Sequence, residues 1–277
     1  MINGVIKQYL RDKKENLKYL KYKNTLPANP MHDDIYIVEF PKSGITWLQH
    51  ILGNIELQLS GRKNEYITFY NFHKYQPDIH QVKKSHINRF LNRTFIKSHA
   101  EYNSYYYFVI YLVRNPFDVM VSYYNFLLGL GERIPSFEEF IKSDNGIIAW
   151  KKHINSWNYK RIDAQRIHFL RYEDLIKDTK ESVMNIYKNF GVNLEENVID
   201  LAIDNSNIKN MSMLEMHYKK YNVNYTMSFV GKDKKISKDE LLSDDMKSYI
   251  FDVAYEEIKL FYPELVNKNK PMNLFLS

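Results

Sequence analysis

The sequence predicts a single α/β domain in which helices flank a central, mostly parallel β-sheet. Short apolar runs rich in β-branched and aromatic residues alternate with segments whose apolar residues recur at helical spacing. The first such run leads directly into a glycine-containing loop, which is followed by a helical segment. No internal repeat or low-complexity linker interrupts the 277 residues, so the sequence predicts one domain over 1–277.

An N-terminal helix and a lead-in are predicted before the sheet, over about residues 1–30. Residues 2–22 place apolar side chains on one helical face, and the prolines of segment 25–30 end the helix. Basic residues interrupt the apolar positions of 1–14, so this segment lacks the apolar core of a signal peptide. Because no run of 18 apolar residues occurs, we expect a cytoplasmic protein with no membrane partner.

Composition excludes several function classes. The chain has no cysteine, which rules out disulfides, thiolate metal sites and a cysteine nucleophile. Its formal net charge of +6 at pH 7 raises the question of a nucleic-acid partner. Much of the excess lies in residues 1–24, however, and a solvated basic face is the more ordinary interpretation. A small polyanionic ligand would use the same positive field, so no nucleic acid is expected as a partner.

The first strand and the loop after it form a predicted anion site. An apolar run over 35–40 enters the octapeptide 40–47, Phe-Pro-Lys-Ser-Gly-Ile-Thr-Trp, and a helix over 46–59 leaves it. Such a loop points backbone N–H groups and the positive end of a helix at one spot. Lys42 adds a mobile positive charge, and two hydroxyl side chains add hydrogen-bond donors.

This loop is P-loop-like in its chemistry but does not match the Walker A motif. Walker A has a glycine five residues before Gly44 and a Lys-Ser/Thr pair after it. Here Glu39 stands at the first position, and Ile45 follows Gly44. The alternative interpretation of the octapeptide is an ordinary strand–turn–helix connection with incidental polar residues.

Two more strands are predicted after a long irregular stretch. Residues 60–89 show no clean period, and their three histidines match no metal-binding spacing, so we expect a loop region over a binding pocket. Residues 93–97 indicate a short strand, followed by Ser98 and His99. The run over 105–113 is continuously β-branched and aromatic, as in a central strand that is buried on both faces.

The strong strand ends at Arg114, where a helix begins. Asn115 suits the N-cap position of that helix and Pro116 its first residue. Arg114 should therefore lie at the carboxyl edge of the sheet, where open α/β sheets bind their ligands. A fourth strand is predicted at 167–170, and the segment from Pro263 onward has few organising features. Helices are predicted around 175–190, 195–216 and 239–260.

Four stretches of the chain carry candidate functional residues. They are Phe40-Pro41-Lys42-Ser43-Gly44-Ile45-Thr46-Trp47, Phe95-Ile96-Lys97-Ser98-His99, residues 111–124 with Arg114 and Ser122, and Arg171-Tyr172-Glu173-Asp174-Leu175. In order, spacing and content they resemble the cytosolic-type sulfotransferases. That family moves a sulfuryl group from 3′-phosphoadenosine 5′-phosphosulfate (PAPS) to a hydroxyl or an amine. The resemblance covers about residues 33–260.

The resemblance implies that two groups of residues bind the donor, and that 3′-phosphoadenosine 5′-phosphate (PAP) is a product. The loop residues implied at the 5′-phosphosulfate are Lys42, Ser43, Gly44, Ile45, Thr46 and Trp47. Arg114 and Ser122 are implied at the 3′-phosphate, a role for which arginine is suited. Further donor contacts are implied for Tyr172, Ser206, Phe229 and Lys232.

The resemblance also implies that His99 is the catalytic base. The acceptor must lose a proton as its bond to sulfur forms, and imidazole suits that task. Charge on the leaving phosphate oxygen must be neutralised, a role implied for Lys42 and Lys97. Lys97 and His99 are two residues apart and face the same side of an extended chain. This mechanism needs no metal, and no ligand spacing indicates one.

The sequence departs from the family at three places. Ile45 stands where threonine is usual, which removes a hydroxyl from the donor loop. Ala100 follows the base where the family soon has a proline. Gly231 replaces an arginine that grips the 3′-phosphate, and a nearby tryptophan is absent. The 3′-phosphate is then held more loosely, or by Lys234 or Lys235.

The expected partner is a small-molecule acceptor, and the chain is expected to be a monomer or a homodimer. The resemblance places the acceptor in loops over 60–92, 125–150 and 217–235, whose aromatic residues suit a ring-bearing molecule such as a natural product. Glu101 and Glu132 would favour a cationic acceptor.

Three rival functions remain open from the residues. A nucleotide kinase with a divergent phosphate loop would require Mg²⁺ and ATP. A nucleic-acid-binding protein would use the basic N-terminal segment and show steeply salt-dependent binding. A PAPS-binding protein without activity would transfer nothing, and the presence of Lys42, Lys97 and His99 argues against it.

Overall fold

Four parallel strands form a sheet to which the helices attach. The computed structural model describes residues 22–82, 85–158, 166–222 and 236–268. The strands among them are β1 (Ile35–Glu39), β2 (Phe95–Ser98), β3 (Phe108–Val113) and β4 (Arg166–Arg171). Their order is β2-β1-β3-β4, and all neighbouring pairs are parallel. This arrangement confirms the predicted α/β fold with a parallel central sheet.

The carboxyl ends of the strands lie at one edge of the sheet. Ser98, the last residue of β2, pairs with Val38, and Glu39 at the end of β1 pairs with Leu112. The last residues of β3 and β4 pair with each other. The segments that follow the four strands therefore all leave from the same edge.

Helices connect the strands and continue beyond them. They are α1 (Ile45–Leu59), α2 (Phe72–Tyr75), α3 (Ile79–Val82), α4 (Pro116–Gly129), α5 (Phe137–Lys142), α6 (Ile147–Asn158), α7 (Tyr172–Lys177), α8 (Thr179–Asn189), α9 (Glu196–Asn205), α10 (Ile208–Tyr221), α11 (Lys238–Leu241), α12 (Asp244–Val253), α13 (Tyr255–Phe261) and α14 (Pro263–Lys268). As predicted, Asn115 caps α4, since its side chain accepts a hydrogen bond from the Phe117 N–H at 3.0 Å.

Both faces of the sheet are covered. The side chains of Ile35 and Ile37 pack with residues of α1, α8 and α9 on one face. The side chains of Tyr36 and Val38 pack with residues of α4, α6, α12 and α13 on the other. Neighbouring residues of β1 thus point to opposite faces, and all five are buried. Burying each aliphatic side chain contributes about 1.5–3 kcal/mol, so two apolar layers hold the sheet edge in place.

The third strand begins three residues later than predicted. Its lead-in packs on the core without joining the ladder, because the Tyr106 ring stacks on Tyr36 with centroids 3.6 Å apart. The Tyr106 hydroxyl donates to the Thr25 backbone oxygen at 2.6 Å. The aromatic residues at 105–107 therefore made the predicted strand too long at its start, because they precede the paired residues of β3.

The structure divides each of the three long helices that were predicted in the second half of the chain, over 175–190, 195–216 and 239–260, into shorter helices. Short polar side chains explain the divisions, because each accepts a hydrogen bond from a backbone N–H at the start of a new helix. Asp178 caps α8, Asn207 caps α10 and Ser243 caps α12.

Two segments at the ends of the chain bear on the predictions. The predicted N-terminal helix lies almost entirely outside the described residues. The expectation of few organising features after residue 263 was wrong, because Pro263 begins α14. Among the helices that the structure describes, none is both long and apolar enough to cross a membrane.

Candidate active site

Each of the four strands delivers one of the predicted functional segments to the same edge of the sheet. The loop 40–44 follows β1, and His99 follows β2. Arg114 follows β3, and Tyr172 begins the helix after β4. The parallel topology therefore brings together residues that are up to 130 positions apart in the sequence, at the edge where α/β proteins bind ligands.

The loop after β1 has the backbone geometry of an anion site. Lys42 has a φ angle of 75° and Gly44 a φ angle of 107°, both in the left-handed region. Backbone N–H groups around such residues form concave nests that bind anions. The 15-residue helix α1 starts directly afterwards at Ile45 and adds its positive end. A left-handed lysine is uncommon and costs about 1–3 kcal/mol, a strain typical of functional loops.

Tyr172 and Arg114 close one side of this loop. A Cβ atom on Gly44 would lie 2.4 Å from Cε2 of Tyr172, so the tyrosine ring rests directly on the glycine. The Arg114 guanidinium lies 4.5 Å from the centre of that ring. One of its terminal nitrogens also donates to the Lys42 backbone oxygen at 3.1 Å. Loop, arginine and tyrosine thus form one contiguous unit.

The other predicted donor contacts lie around this unit. The Trp47 indole N–H donates to the backbone oxygen of Ser206 at 3.0 Å, which joins α1 to the end of α9. The Ser206 hydroxyl is fully buried and accepts a hydrogen bond from Asn54. Ser122 is partly buried, about two turns into α4. Phe229 and Lys232 lie outside the described residues.

Only some of the loop side chains are accessible. Lys42, Thr46 and Trp47 are partly exposed, and the Lys42 ammonium lies 4.2 Å from the centre of the Phe126 ring. The Ser43 hydroxyl is buried and donates to the Phe40 backbone oxygen at 2.9 Å. In this arrangement Ser43 stabilises the turn.

His99 is held by a hydrogen bond to the end of β1. Its Nδ1 lies 3.1 Å from the Glu39 backbone oxygen, which can only accept, so Nδ1 carries the proton in the neutral ring. The other nitrogen, Nε2, is then the one that can accept a proton. Burial and the nearby charge of Lys97 lower the pKa of His99 well below its ordinary value. The ring is therefore neutral at pH 7, as a base must be.

An ion pair lies beside this histidine. The Lys97 ammonium is 3.1 Å from a carboxylate oxygen of Asp78, and both side chains are largely buried. Burial opposes the ionisation of Asp78, but the charge of Lys97 and the His80 N–H hold its pKa below the usual range. Lys97 thus brings a fixed positive charge to the strand edge.

Four residues near His99 were not assigned a role from the sequence. They are Glu39, Asp78, His80 and His153. The His80 ring centre is 5.5 Å from that of His99, and Nε2 of His153 donates to the His99 backbone oxygen at 3.3 Å. Glu39 alone had a signal in the sequence, as the acid that ends an apolar strand. The others come from segments whose position depends on packing.

No metal centre is evident in the part of the chain that the structure describes. There, no group of three or more His, Cys, Asp or Glu side chains is placed to hold a metal ion.

Comparison with known proteins identifies the family. The sulfotransferase domain matches residues 32–267. The 3-alpha-hydroxysteroid sulfotransferase of Cavia porcellus is 32% identical over 203 residues, covering 66% of this chain and 68% of its own length. The amine sulfotransferase of Oryctolagus cuniculus is 26% identical over 201 residues, covering 66% of this chain and 64% of its own length. The alignments therefore span about two thirds of these relatives.

The fold comparison agrees. A solved structure of retinol dehydratase in a complex with retinol and PAP superposes with a TM-score of 0.65 at 17% identity, over 87% of this chain and 86% of that one. At this identity the likeness concerns the fold. The chain belongs to the sulfotransferase family, which confirms the PAPS-dependent enzyme class predicted from its motifs.

Proposed function

We propose that the carboxyl edge of the sheet binds PAPS and transfers its sulfuryl group to a hydroxyl or an amine of a small molecule, with His99 as the base. One observation supports the assignment of these roles to particular residues. The loop 40–44, His99, Arg114 and Tyr172 follow four different strands and meet at one edge. An anion loop, two lysines, an arginine and a neutral histidine are the groups that sulfuryl transfer requires.

The donor would be bound at two separate anion positions. Lys42, the loop N–H groups and the start of α1 would hold the 5′-phosphosulfate. Arg114 would hold the 3′-phosphate, with Ser122 on the neighbouring helix. This placement is supported by the contact of Arg114 with both the loop and the Tyr172 ring, which puts its guanidinium at the boundary of the loop. Tyr172 would present its ring to the adenine.

The chain's own residues then carry out the transfer. Bound PAPS supplies the sulfuryl group. His99 takes the acceptor's proton at Nε2, because Nδ1 already donates to the Glu39 backbone oxygen. Lys42 and Lys97 neutralise the charge that develops on the phosphate oxygen as the bond to sulfur breaks. The pairing of Lys97 with Asp78 holds its ammonium in place.

The acceptor site is assigned to the loop region before β2. A cavity of about 290 Å³ lies there, lined in part by His73, Pro77, Val82 and Phe90. Its mixed lining suits a small ring-bearing molecule with a hydroxyl or an amine. Of the two relatives compared above, one is named for a hydroxysteroid and the other for an amine, so their names include both a hydroxyl and an amine acceptor.

A cationic acceptor is less well supported. The Glu101 carboxylate is paired with the Lys152 ammonium at 2.9 Å and is half exposed, and Glu132 is exposed.

We further propose that residues 1–277 form one domain that acts in the cytoplasm as a monomer or a homodimer. We also propose that it acts without a metal and without binding nucleic acid.

A transfer assay tests the proposal. The chain is incubated with PAPS and a panel of phenols, steroid alcohols and primary amines, and both PAP release and sulfated product are measured. We expect His99→Ala to lower kcat by about 10²–10⁴-fold, with PAP affinity unchanged within about twofold. His32→Ala, at an exposed histidine that precedes β1 and so lies away from the carboxyl edge of the sheet, is the matched control. Full activity in His99→Ala, or group transfer from Mg-ATP in place of PAPS, would contradict the proposal.

A further inference from the structure

Glu39 is an acid buried at the centre of the candidate site. It ends β1, its side chain is 3% exposed, and it follows Ile35 and Ile37 on the face that packs against α1. A buried carboxylate is costly unless it is paired and hydrogen-bonded. One of its oxygens, Oε2, accepts the Ile45 N–H at 2.9 Å, the first N–H of α1.

The same residue contacts His99 in two ways. Its backbone oxygen accepts the Nδ1 proton of His99 at 3.1 Å. Its second carboxylate oxygen, Oε1, lies 4.0 Å from that same nitrogen. When His99 takes up a proton at Nε2, positive charge spreads over the ring, and an ionised carboxylate at this distance stabilises it. Glu39 therefore links the donor loop to the base.

Other charged groups near Glu39 and His99 affect whether the Glu39 carboxyl is ionised. Lys97, Lys42 and Arg114 all act on Glu39, and Tyr111 packs nearby on the opposite face of the sheet. Burial raises the pKa of Glu39 to about 7, against the effect of these cations.

His99 has a different balance of neighbours. Burial, Lys97 and His80 all oppose its protonation, while the hydrogen bond to the Glu39 backbone oxygen favours it, as does Asp78 from within its ion pair. A protonated His99 would thus be poorly stabilised without a second acid at short range.

We propose that Glu39 is a positioning residue for the reaction: its backbone oxygen fixes the tautomer of His99, and its carboxylate stabilises the imidazolium that forms when His99 takes the acceptor's proton. This inference rests on the proposed function of His99 as the base. In the step, the acceptor oxygen or nitrogen bonds to sulfur, its proton moves to Nε2, and the bond from sulfur to the phosphate oxygen breaks. The electron pair of that bond leaves with PAP.

The variant Glu39→Gln tests the charge while keeping the shape. Its amide oxygen can still accept the Ile45 N–H, so PAP affinity should stay within about twofold. We expect kcat to fall by about tenfold or more above pH 7, where the Glu39 carboxylate is ionised, and the acid limb that its ionisation produces near pH 7 to be lost from the pH profile of kcat/KM. A merely structural role would not remove that limb.

A matched control removes a buried carboxylate elsewhere. Glu56 on α1 is fully buried and accepts hydrogen bonds from Tyr187 and Arg93, away from the strand edge. Glu56→Gln should leave the acid limb in place. The proposal is overturned if Glu39→Gln keeps the wild-type kcat and acid limb, or if both variants lose activity equally with an unmoved limb.

A second measurement needs neither a variant of Glu39 nor turnover. Ring ¹⁵N shifts of the wild-type chain, with His99 identified by comparison with His99→Gln, report which nitrogen carries the proton. We expect a protonated Nδ1, and a protonated Nε2 would overturn the proposal. Failure of the proposed function looks different: wild-type chain that transfers nothing from PAPS, or His99→Ala with full activity, while the tautomer remains as expected.

Discussion

Replacing Gly44 by alanine should damage the donor loop and the Arg114 site together. The glycine has a φ angle of 107°, and an added Cβ would lie 2.4 and 2.5 Å from two carbons of the Tyr172 ring. Gly44→Ala therefore has two separate effects, one on the backbone and one on the ring. The second reaches Arg114, whose guanidinium lies 4.5 Å from the centre of that ring.

The size of each effect can be worked from the structure. A left-handed alanine costs about 1–2 kcal/mol. Ordinary contact begins near 3.4 Å, so the ring must retreat by about 1 Å from a Cβ at 2.4 Å. That shift weakens the contact with Arg114, worth about 0.5–2 kcal/mol. The sum is about 1.5–4 kcal/mol, or a fall in Tm of roughly 3–16 °C for a domain of this size.

The assay is thermal unfolding combined with PAP titration. Gly61→Ala is the matched control, because Gly61 has a φ angle of 75° but nothing within 4 Å of its Cβ position. Gly61→Ala should show only the backbone cost, whereas Gly44→Ala should unfold at a lower temperature and bind PAP about tenfold or more weakly. Equal losses of Tm in the two variants, with unchanged PAP affinity, would refute the contact between loop, Tyr172 and Arg114.

Two further predictions concern the acids of the site. Asp78→Asn leaves the Lys97 ammonium, which is 16% exposed, without its ion-pair partner. The free energy of unfolding, measured by urea denaturation, should fall by about 3 kcal/mol. The control Asp33→Asn, at an exposed site, should change it by under about 0.5 kcal/mol. Burial raises the pKa of Glu39 from 4.5 to about 7, so the folded protein favours the protonated carboxyl. The contribution of this group to the free energy of unfolding is therefore complete below about pH 4.5 and is lost as pH rises through 7. Compared with wild type, Glu39→Gln should gain up to about 3 kcal/mol in relative stability between pH 4.5 and 8, and a constant difference would show that Glu39 is not desolvated.

Much of the site could be predicted because its signals are local. A strand that ends at an arginine, followed by an N-cap and a proline, marks Arg114 without any tertiary information, and the structure places all three as expected. Parallel topology then requires the ends of the strands to meet. Arg114 and Tyr172 therefore face the loop although about 70 and 130 residues separate them from Lys42.

The remainder depends on packing that no local pattern encodes. Asp78 reaches Lys97 because an otherwise irregular segment forms an isolated bridge beside β2. The divided helices follow from single polar caps such as Asp178, whose effect a helical period does not show. Glu39 was named from the sequence only as the residue at the first glycine position of Walker A, and its link to His99 depends on the register of β1 and β2.

Binding of PAP is the most direct test of the central claim that this strand edge is a donor site for a 3′-phosphorylated nucleotide. Calorimetric affinities of PAP, AMP and ATP are compared for wild type, Arg114→Ala and the exposed control Arg133→Ala. We expect PAP to bind about 10–100-fold more tightly than AMP, as charge-assisted hydrogen bonds to the 3′-phosphate would give. That advantage should be lost in Arg114→Ala and kept in Arg133→Ala. Equal affinity for PAP and AMP, or binding of ATP alone, would contradict the account.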